Sequence, residues 1–339
     1  MLSFLKRINL IRYLIVWRVN SSLAYFPRYL PIDISNIIGT IISQRLPTKE
    51  TSLWQKALEP LNKKQDENLK NRKKIIETFP DVSWPIQSVL FPYTGKRTYG
   101  RDELILWELK LLGNDADHGL FLEVILPAIE EASYTSNPKW NRRNRVWGKF
   151  DIQAVYVARG HRWEPLVQDG KLDLRYRANH TQWSENLTLT PKTGRRFRYL
   201  NWTTPFDLDN INLNLHTLNL SSPRVALKYD DAPTLYLILS ALIARLIDLM
   251  PGKYKDTEEI INNFNKEEDY ALSSVFEKIS KMPINKNNIK PAPNSWPGKW
   301  SGNQRFKNIP KSIIPYLELA SILHIGKYTH LGCGTFMLT

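Results

Sequence analysis

The chain has 339 residues, enough for one or two domains with a sizeable core, and its 42% hydrophobic and 24% charged residues are an ordinary globular composition. Its 47 Lys and Arg against 33 Asp and Glu leave a net charge of +14, which points to a polyanion as partner, either nucleic acid or an anionic membrane surface. The single cysteine, Cys333, excludes an intramolecular disulfide and a cysteine-based zinc cage, so a cytoplasmic protein without cofactor or structural metal is expected.

In chain order, the opening "MLSFLKRINLIRYLIVWRVN" is apolar but interrupted by Lys6, Arg7, Arg12 and Arg18, unlike a signal peptide or a membrane span. Within it, Tyr13 to Val19 is rich in β-branched and aromatic residues and predicts a first strand. In "DISNIIGTIISQRL", Ile34, Ile37, Ile38, Ile41, Ile42 and Leu46 share a helical face, with Asp33 or Ser35 as the cap. The basic "KKQDENLKNRKKIIETF" predicts a solvent-exposed helix. "ELILWELKLLG" alternates, with Ile105, Trp107, Leu109 and Leu111 on one side and Glu108 and Lys110 on the other, as a half-buried antiparallel strand does. "HGLFLEVILPAIEEA" has helical spacing, and Pro127 should kink or restrict it. A basic loop, "PKWNRRNRVWGK", then leads into the strand "FDIQAVYVA".

The second half repeats this order more loosely. Strand-like segments at 206–220 and 224–228 precede a helix from Thr234 to Met250, whose "TLYLILSALIARLIDLM" carries Arg245 and Asp248 and is too short to span a bilayer. A polar stretch from 281 to 308 reads as loop, and a glycine-rich segment leads into the strand "GTFML". The pattern is α+β and predicts two tandem ferredoxin-like domains, 1–203 and 204–339, the second closing on a C-terminal glycine-rich loop. With no membrane anchor, nucleic acid is the expected polyanion.

Two clusters interleave cations with aromatics. Lys139, Arg142, Arg143 and Arg145 sit beside Trp140 and Trp147, and Lys192, Arg195, Arg196 and Arg198 beside Phe197, Tyr199 and Trp202. Guanidinium on phosphate and rings on bases suit single-stranded or hairpin RNA. No metalloprotease, nucleophile-elbow, Walker or dinucleotide motif occurs. His118, at the start of a predicted helix, could cap it or contact phosphate, and His216 reads as a packed strand residue. In "HIGKYTHLGCG", His324 and His330 bracket Gly326, Gly332 and Gly334 with Lys327 among them. Glycines let a backbone approach a phosphate closely, and nests of amides bind anions.

That tail resembles the C-terminal glycine-rich loop of the RAMP superfamily of CRISPR-associated proteins, whose pattern is glycine-hydrophobic-glycine, five residues, glycine-hydrophobic-glycine. Ile325, Gly326, the stretch Lys327 to Leu331, Gly332, Cys333 and Gly334 fit it, while His324 replaces the first glycine. More closely, the chain is similar to the Cas-six family, endoribonucleases that cut CRISPR precursor RNA within its repeats. "YTGKRTYGRDELILWELKLLG", "NRRNRVWGKFDIQAV" and "TPFDLDNINL" carry the resemblance from about residue 86 onward, and it weakens before that.

The resemblance implies a metal-independent RNase in which the substrate's 2′-hydroxyl attacks the adjacent phosphate, leaving a 2′,3′-cyclic phosphate. Such a site needs a base, an acid and a cation for the phosphorane charge. Many members place a catalytic histidine at or just before the first helix, whereas this sequence has none before His118. The candidates are therefore His330 and His324, with Lys327 stabilising charge, His118 as a third imidazole and Tyr25 as a phenol. Expected partners are CRISPR repeat RNA, as precursor crRNA, and other CRISPR effector subunits. The competing reading is a non-catalytic RAMP subunit that only holds repeat or guide RNA.

Overall fold

The computed structural model describes residues 3–26, 29–70, 83–93, 95–134, 146–189, 196–209, 232–249, 266–280 and 282–339. The first half runs β1 (Leu10–Val19), β2 (Leu23–Tyr25), α1 (Leu30–Arg45), α2 (Thr48–Lys70), β3 (Ser88–Pro92), β4 (Thr98–Gly100) and β5 (Leu104–Leu112). A composite helix, α3, joins His118–Leu120, a π turn at Phe121–Ile125 and Leu126–Tyr134. It leads to β6 (Phe150–Arg159), β7 (Arg162–Gln168) and β8 (Lys171–Leu172). The large sheet has the order β3-β5-β1-β6-β7-β8 with every pair antiparallel, and β2 pairs with β4 apart from it. Its first four strands with α1 and α3 are the β-α-β-β-α-β arrangement of a ferredoxin-like fold.

The apolar alternation sets which face of this sheet the helices cover. Tyr13, Ile15 and Trp17 of β1 point inward, where Trp17 stacks on Phe150 at 3.6 Å between ring centroids and meets Trp107 edge-on at 5.1 Å. Helix α1 is buried along its length from Leu30 to Ser43. It begins earlier than its isoleucine spacing suggested, because Pro31 fixes a helical φ in the first turn. Asp33 and Ser35, expected as caps, therefore lie inside it. Pro127 does not simply kink α3. The preceding turn widens, with the Leu126 N–H bonding the Phe121 carbonyl five residues back, which relieves the crowding a proline ring imposes on a tight turn.

The second half has the same plan: β9 (Tyr199–Phe206), α4 (Leu235–Leu249), α5 (Lys266–Ser280), β10 (Ile284–Pro291), β11 (Trp300–Phe306), α6 (Ile314–Leu323) and β12 (Phe336–Leu338). Its sheet order, β10-β11-β9-β12, is again that of a ferredoxin-like repeat, all antiparallel. The expected division at 203/204 falls inside β9, which belongs wholly to the second sheet, so the second repeat starts by Tyr199. The stretch read as loop, 281–308, is largely the β10–β11 hairpin, in register from Lys286 opposite Arg305 to Pro291 opposite Trp300. Its Asn and Lys residues are poor strand formers, and pairing with β9 overrides them. The strand-like segments at 206–220 and 224–228, His216 included, lie from residue 210 onward outside the described residues, as does the basic helix beyond Lys70.

The repeats exchange core residues. Leu5, Ile8, Leu10 and Trp183 of the first pack among the helices of the second, and the Trp183 indole donates to the Ile8 carbonyl at 3.0 Å. In return Leu331 of the second lies in the core of the first.

Candidate functional site

The glycine loop leaves α6 at His324, whose φ of +59° turns the chain sharply. Gly326, Gly332 and Gly334 follow at φ +86°, +76° and +79°. A Cβ on Gly326 would stand 2.4 Å from the Asp207 carbonyl oxygen, on Gly332 2.4 Å from that of Leu90, and on Gly334 1.8 Å from that of Ile325. The close approach that the glycines permit is thus to the protein's own backbone, where the sequence suggested a phosphate. Several of the loop's amides are likewise engaged within the protein. Lys327 N–H donates to the Asp207 carbonyl at 2.9 Å, Gly332 N–H to Thr329 at 2.8 Å and Gly334 N–H to Pro205 at 2.9 Å.

His330 sits in a 3-10 turn, Thr329–Leu331, and is pressed between α1 and β3. Its Nε2 lies 2.8 Å from the Ser35 hydroxyl and its Nδ1 3.0 Å from that of Ser88, with the Trp84 ring 5.1 Å away. The Trp84 indole in turn donates to the Ser35 carbonyl at 3.1 Å. Burial pushes the imidazole down to about 3, so it is neutral and occupied on both nitrogens. His324 is fully buried. Its Nδ1 donates to the carbonyls of Gly332 and Cys333 at 3.1 and 3.0 Å, and its ring meets Phe91 edge-on. Burial, with Lys110 and Arg245 nearby, holds it well below the usual imidazole range. Both loop histidines face the protein interior, an orientation the sequence could not show.

His118, at the start of α3, is elsewhere. Its Nδ1 is 2.9 Å from the Tyr13 hydroxyl, its ring lies beside Tyr13 and Tyr176, and burial lowers it too. Of the five candidates for catalysis, Lys327 is half-buried and Tyr25, on β2, is exposed. Of the proposed RNA contacts, Lys139, Arg142, Arg143, Arg145, Lys192 and Arg195 lie outside the described residues. Arg196 and Arg198 are exposed at the entry to β9. Among the aromatics interleaved with them, Trp147, Phe197 and Trp202 are core residues and Tyr199 is on the surface.

A charged group that sequence periodicity assigned to an open face is buried at the junction of the repeats. Glu108 and Lys110 are only 1% and 3% exposed. Arg12 Nε bonds Glu108 Oε1 at 2.5 Å, and the Tyr93 hydroxyl donates to Oε2 at 2.7 Å. Burial would raise the carboxyl, but Arg12 and Lys110 outweigh it and hold Glu108 at about 2. Burial lowers Lys110 to about 7, offset in part by Glu108. Lys110 Nζ donates to the Ile322 carbonyl at 2.6 Å and Arg245 Nε to that of Leu323 at 3.3 Å, so two cations satisfy the last carbonyls of α6. Among the described residues no group of His, Cys, Asp or Glu is placed to hold a metal ion, and no helix is long and apolar enough to cross a membrane.

No family model and no curated protein matches the sequence. Among solved structures, 26 chains match. A chain of a partial Cas6-RT-Cas1–Cas2 complex is 11% identical with a TM-score of 0.49, the match covering 98% of this chain and 46% of that one. A chain of the Cas6-RT-Cas1–Cas2 complex gives the same identity and score with 29% of its length covered, so the chain spans less than half of either. A Cas6 product complex is 16% identical with a TM-score of 0.45, covering 97% of this chain and 100% of that one. At such identities and scores the likeness assigns no role to any residue.

Proposed function

We propose that the chain binds CRISPR repeat RNA and cuts the precursor into guide RNAs, as a metal-independent endoribonuclease working by 2′-hydroxyl attack. The observation that carries this reading is the glycine-hydrophobic-glycine loop closing the second of two ferredoxin-like repeats, in a chain of net charge +14. The attack yields a 2′,3′-cyclic phosphate and a free 5′-hydroxyl. It calls for a cation at the phosphorane and a proton relay at the 2′ and 5′ oxygens. Lys327 supplies the cation and Tyr25 a phenol in this reading, since His330 and His324 are buried and neutral. Cytoplasmic location and assembly with other CRISPR proteins belong to the same proposal.

The inward imidazoles favour a second reading, a subunit that holds repeat or guide RNA without cutting it. One experiment separates the two: labelled repeat RNA incubated with the protein in EDTA, beside the same RNA carrying one 2′-deoxy nucleotide at the cut site. Cutting of the first alone, leaving a cyclic phosphate, supports the nuclease. Equal binding of both without cutting supports the holding subunit, and binding of neither overturns both readings.

A further inference from the structure

The helices α4, α5 and α6 cover one face of the second sheet, where Leu200, Trp202, Phe306 and Phe336 are buried. The register places a different set on the opposite face. One row across the strands reads Lys286, Arg305 and Tyr199, and the next reads Asn288, Asn303, Asn201 and Met337. Lys290 opposite Ser301 continues it. Lys286, Asn288, Lys290 and Arg305 are exposed, Tyr199 is 38% and Met337 57% exposed, and the named side chains of these rows include cations but no acidic group. The strands that composition disguised as a loop owe their polarity to this face.

We propose that this open face of the second sheet is a binding surface for a single-stranded segment of RNA. The proposal rests on the reading of the chain as an RNA-binding protein and names where an unpaired stretch lies. Charge decides the class of occupant. Lys286, Lys290 and Arg305 spaced across three neighbouring strands match a phosphate backbone, whereas a protein partner would need an acidic surface of its own. Tyr199 offers a ring to a base and carries the Arg305 guanidinium 5.6 Å from its centroid, so a stacked base would meet a cation beside it. The asparagines supply edge contacts. Asn288 donates to Asn303 at 3.0 Å and Asn201 to the Thr339 hydroxyl at 2.8 Å, which orients the amides and leaves each further donor or acceptor capacity. A duplex hides its base faces and edges from such a platform; a single strand presents them. Four-stranded sheets of this connectivity use the same geometry to stack two or three bases.

Fluorescence anisotropy with an unstructured, labelled uridine-rich RNA tests this on the full chain. Tyr199→Ala should weaken binding by on the order of tenfold, the effect of losing one base–aromatic stack. Lys286→Glu combined with Lys290→Glu should weaken it further and flatten its salt dependence. These exposed positions leave the core intact, which circular dichroism checks, and ultraviolet crosslinking of the wild-type complex should map to Tyr199 or Met337. Unchanged affinity in both variants, or crosslinks confined to other surfaces, overturns the proposal even if repeat RNA is still cut. Failure of the wild type to bind the RNA, or an acidic protein competing it off this face, also overturns it. Loss of binding in the variants with no cutting of repeat RNA sustains this surface while the nuclease reading falls.

Discussion

Acid should loosen the seam where the glycine loop docks, and His330 gives the size of the effect. The imidazole titrates at about 3 when buried between Ser35 and Ser88, against an ordinary value of 6.5. Below pH 6.5 the unfolded chain takes up a proton that the folded chain refuses, so stability falls as pH drops through this window. At pH 5 the unfolded state is favoured by about 2 kcal/mol relative to pH 7.5, from this residue alone. His324, also held low by burial, adds in the same direction. Replacing His330 by Gln keeps an amide for the two hydroxyls but removes the titration. In urea unfolding at pH 7.5 and pH 5, wild type should lose about 2 kcal/mol more than His330→Gln. A gap between the two proteins that stays constant with pH would refute a neutral, buried His330.

The glycines make a sharper prediction. Gly334→Ala should cost about 3 kcal/mol or more, since the new Cβ meets the Ile325 carbonyl at φ +79°. Gly170→Ala, at φ +71° with nothing within 4 Å, should cost only about 1 kcal/mol, and comparable losses in thermal melts of the two would contradict the packing argument. Glu108→Gln leaves the buried Lys110 and the half-buried Arg12 without their counter-charge and should destabilise by about 3–5 kcal/mol in urea; a loss under 1 kcal/mol would mean that water reaches the junction. Ser88→Ala strips one partner from His330 and should cost about 1–3 kcal/mol at pH 7.5 by the same assay.

The sequence made the fold legible wherever burial imposed a period. The alternation of β5 and the isoleucine stripe of α1 both mark true elements, since each packs against a core. It misled where a second body supplied the environment. Glu108 and Lys110 read as a solvent side because periodicity counts apolar residues, and only the neighbouring repeat turns that side into an interior. For β10 and β11 the error ran the other way: a strand whose outer face carries Lys and Asn leaves little apolar signal to find. The tail shows its glycines and histidines plainly, and at Gly326, Gly332 and Gly334 the backbone does pass close to other atoms. What they approach is set by Leu90, Asp207, Ser35 and Ser88, residues far off in sequence and unremarkable by themselves.

The docking of His330 beside Ser35 joins positions 295 apart. As the chain is synthesised, α1 and β3 are made first, and the side chain that fills the groove between them follows 295 residues after Ser35 and 242 after Ser88. The first repeat must wait, with Ser35, Ser88 and the site for Leu331 open to water, until the second has been made and has folded back. Assembly is then ordered in time by topology: the loop is a closing step, slow because its contacts are so distant. An interrupted chain would expose an apolar groove, which is a target for quality control and a starting point for aggregation.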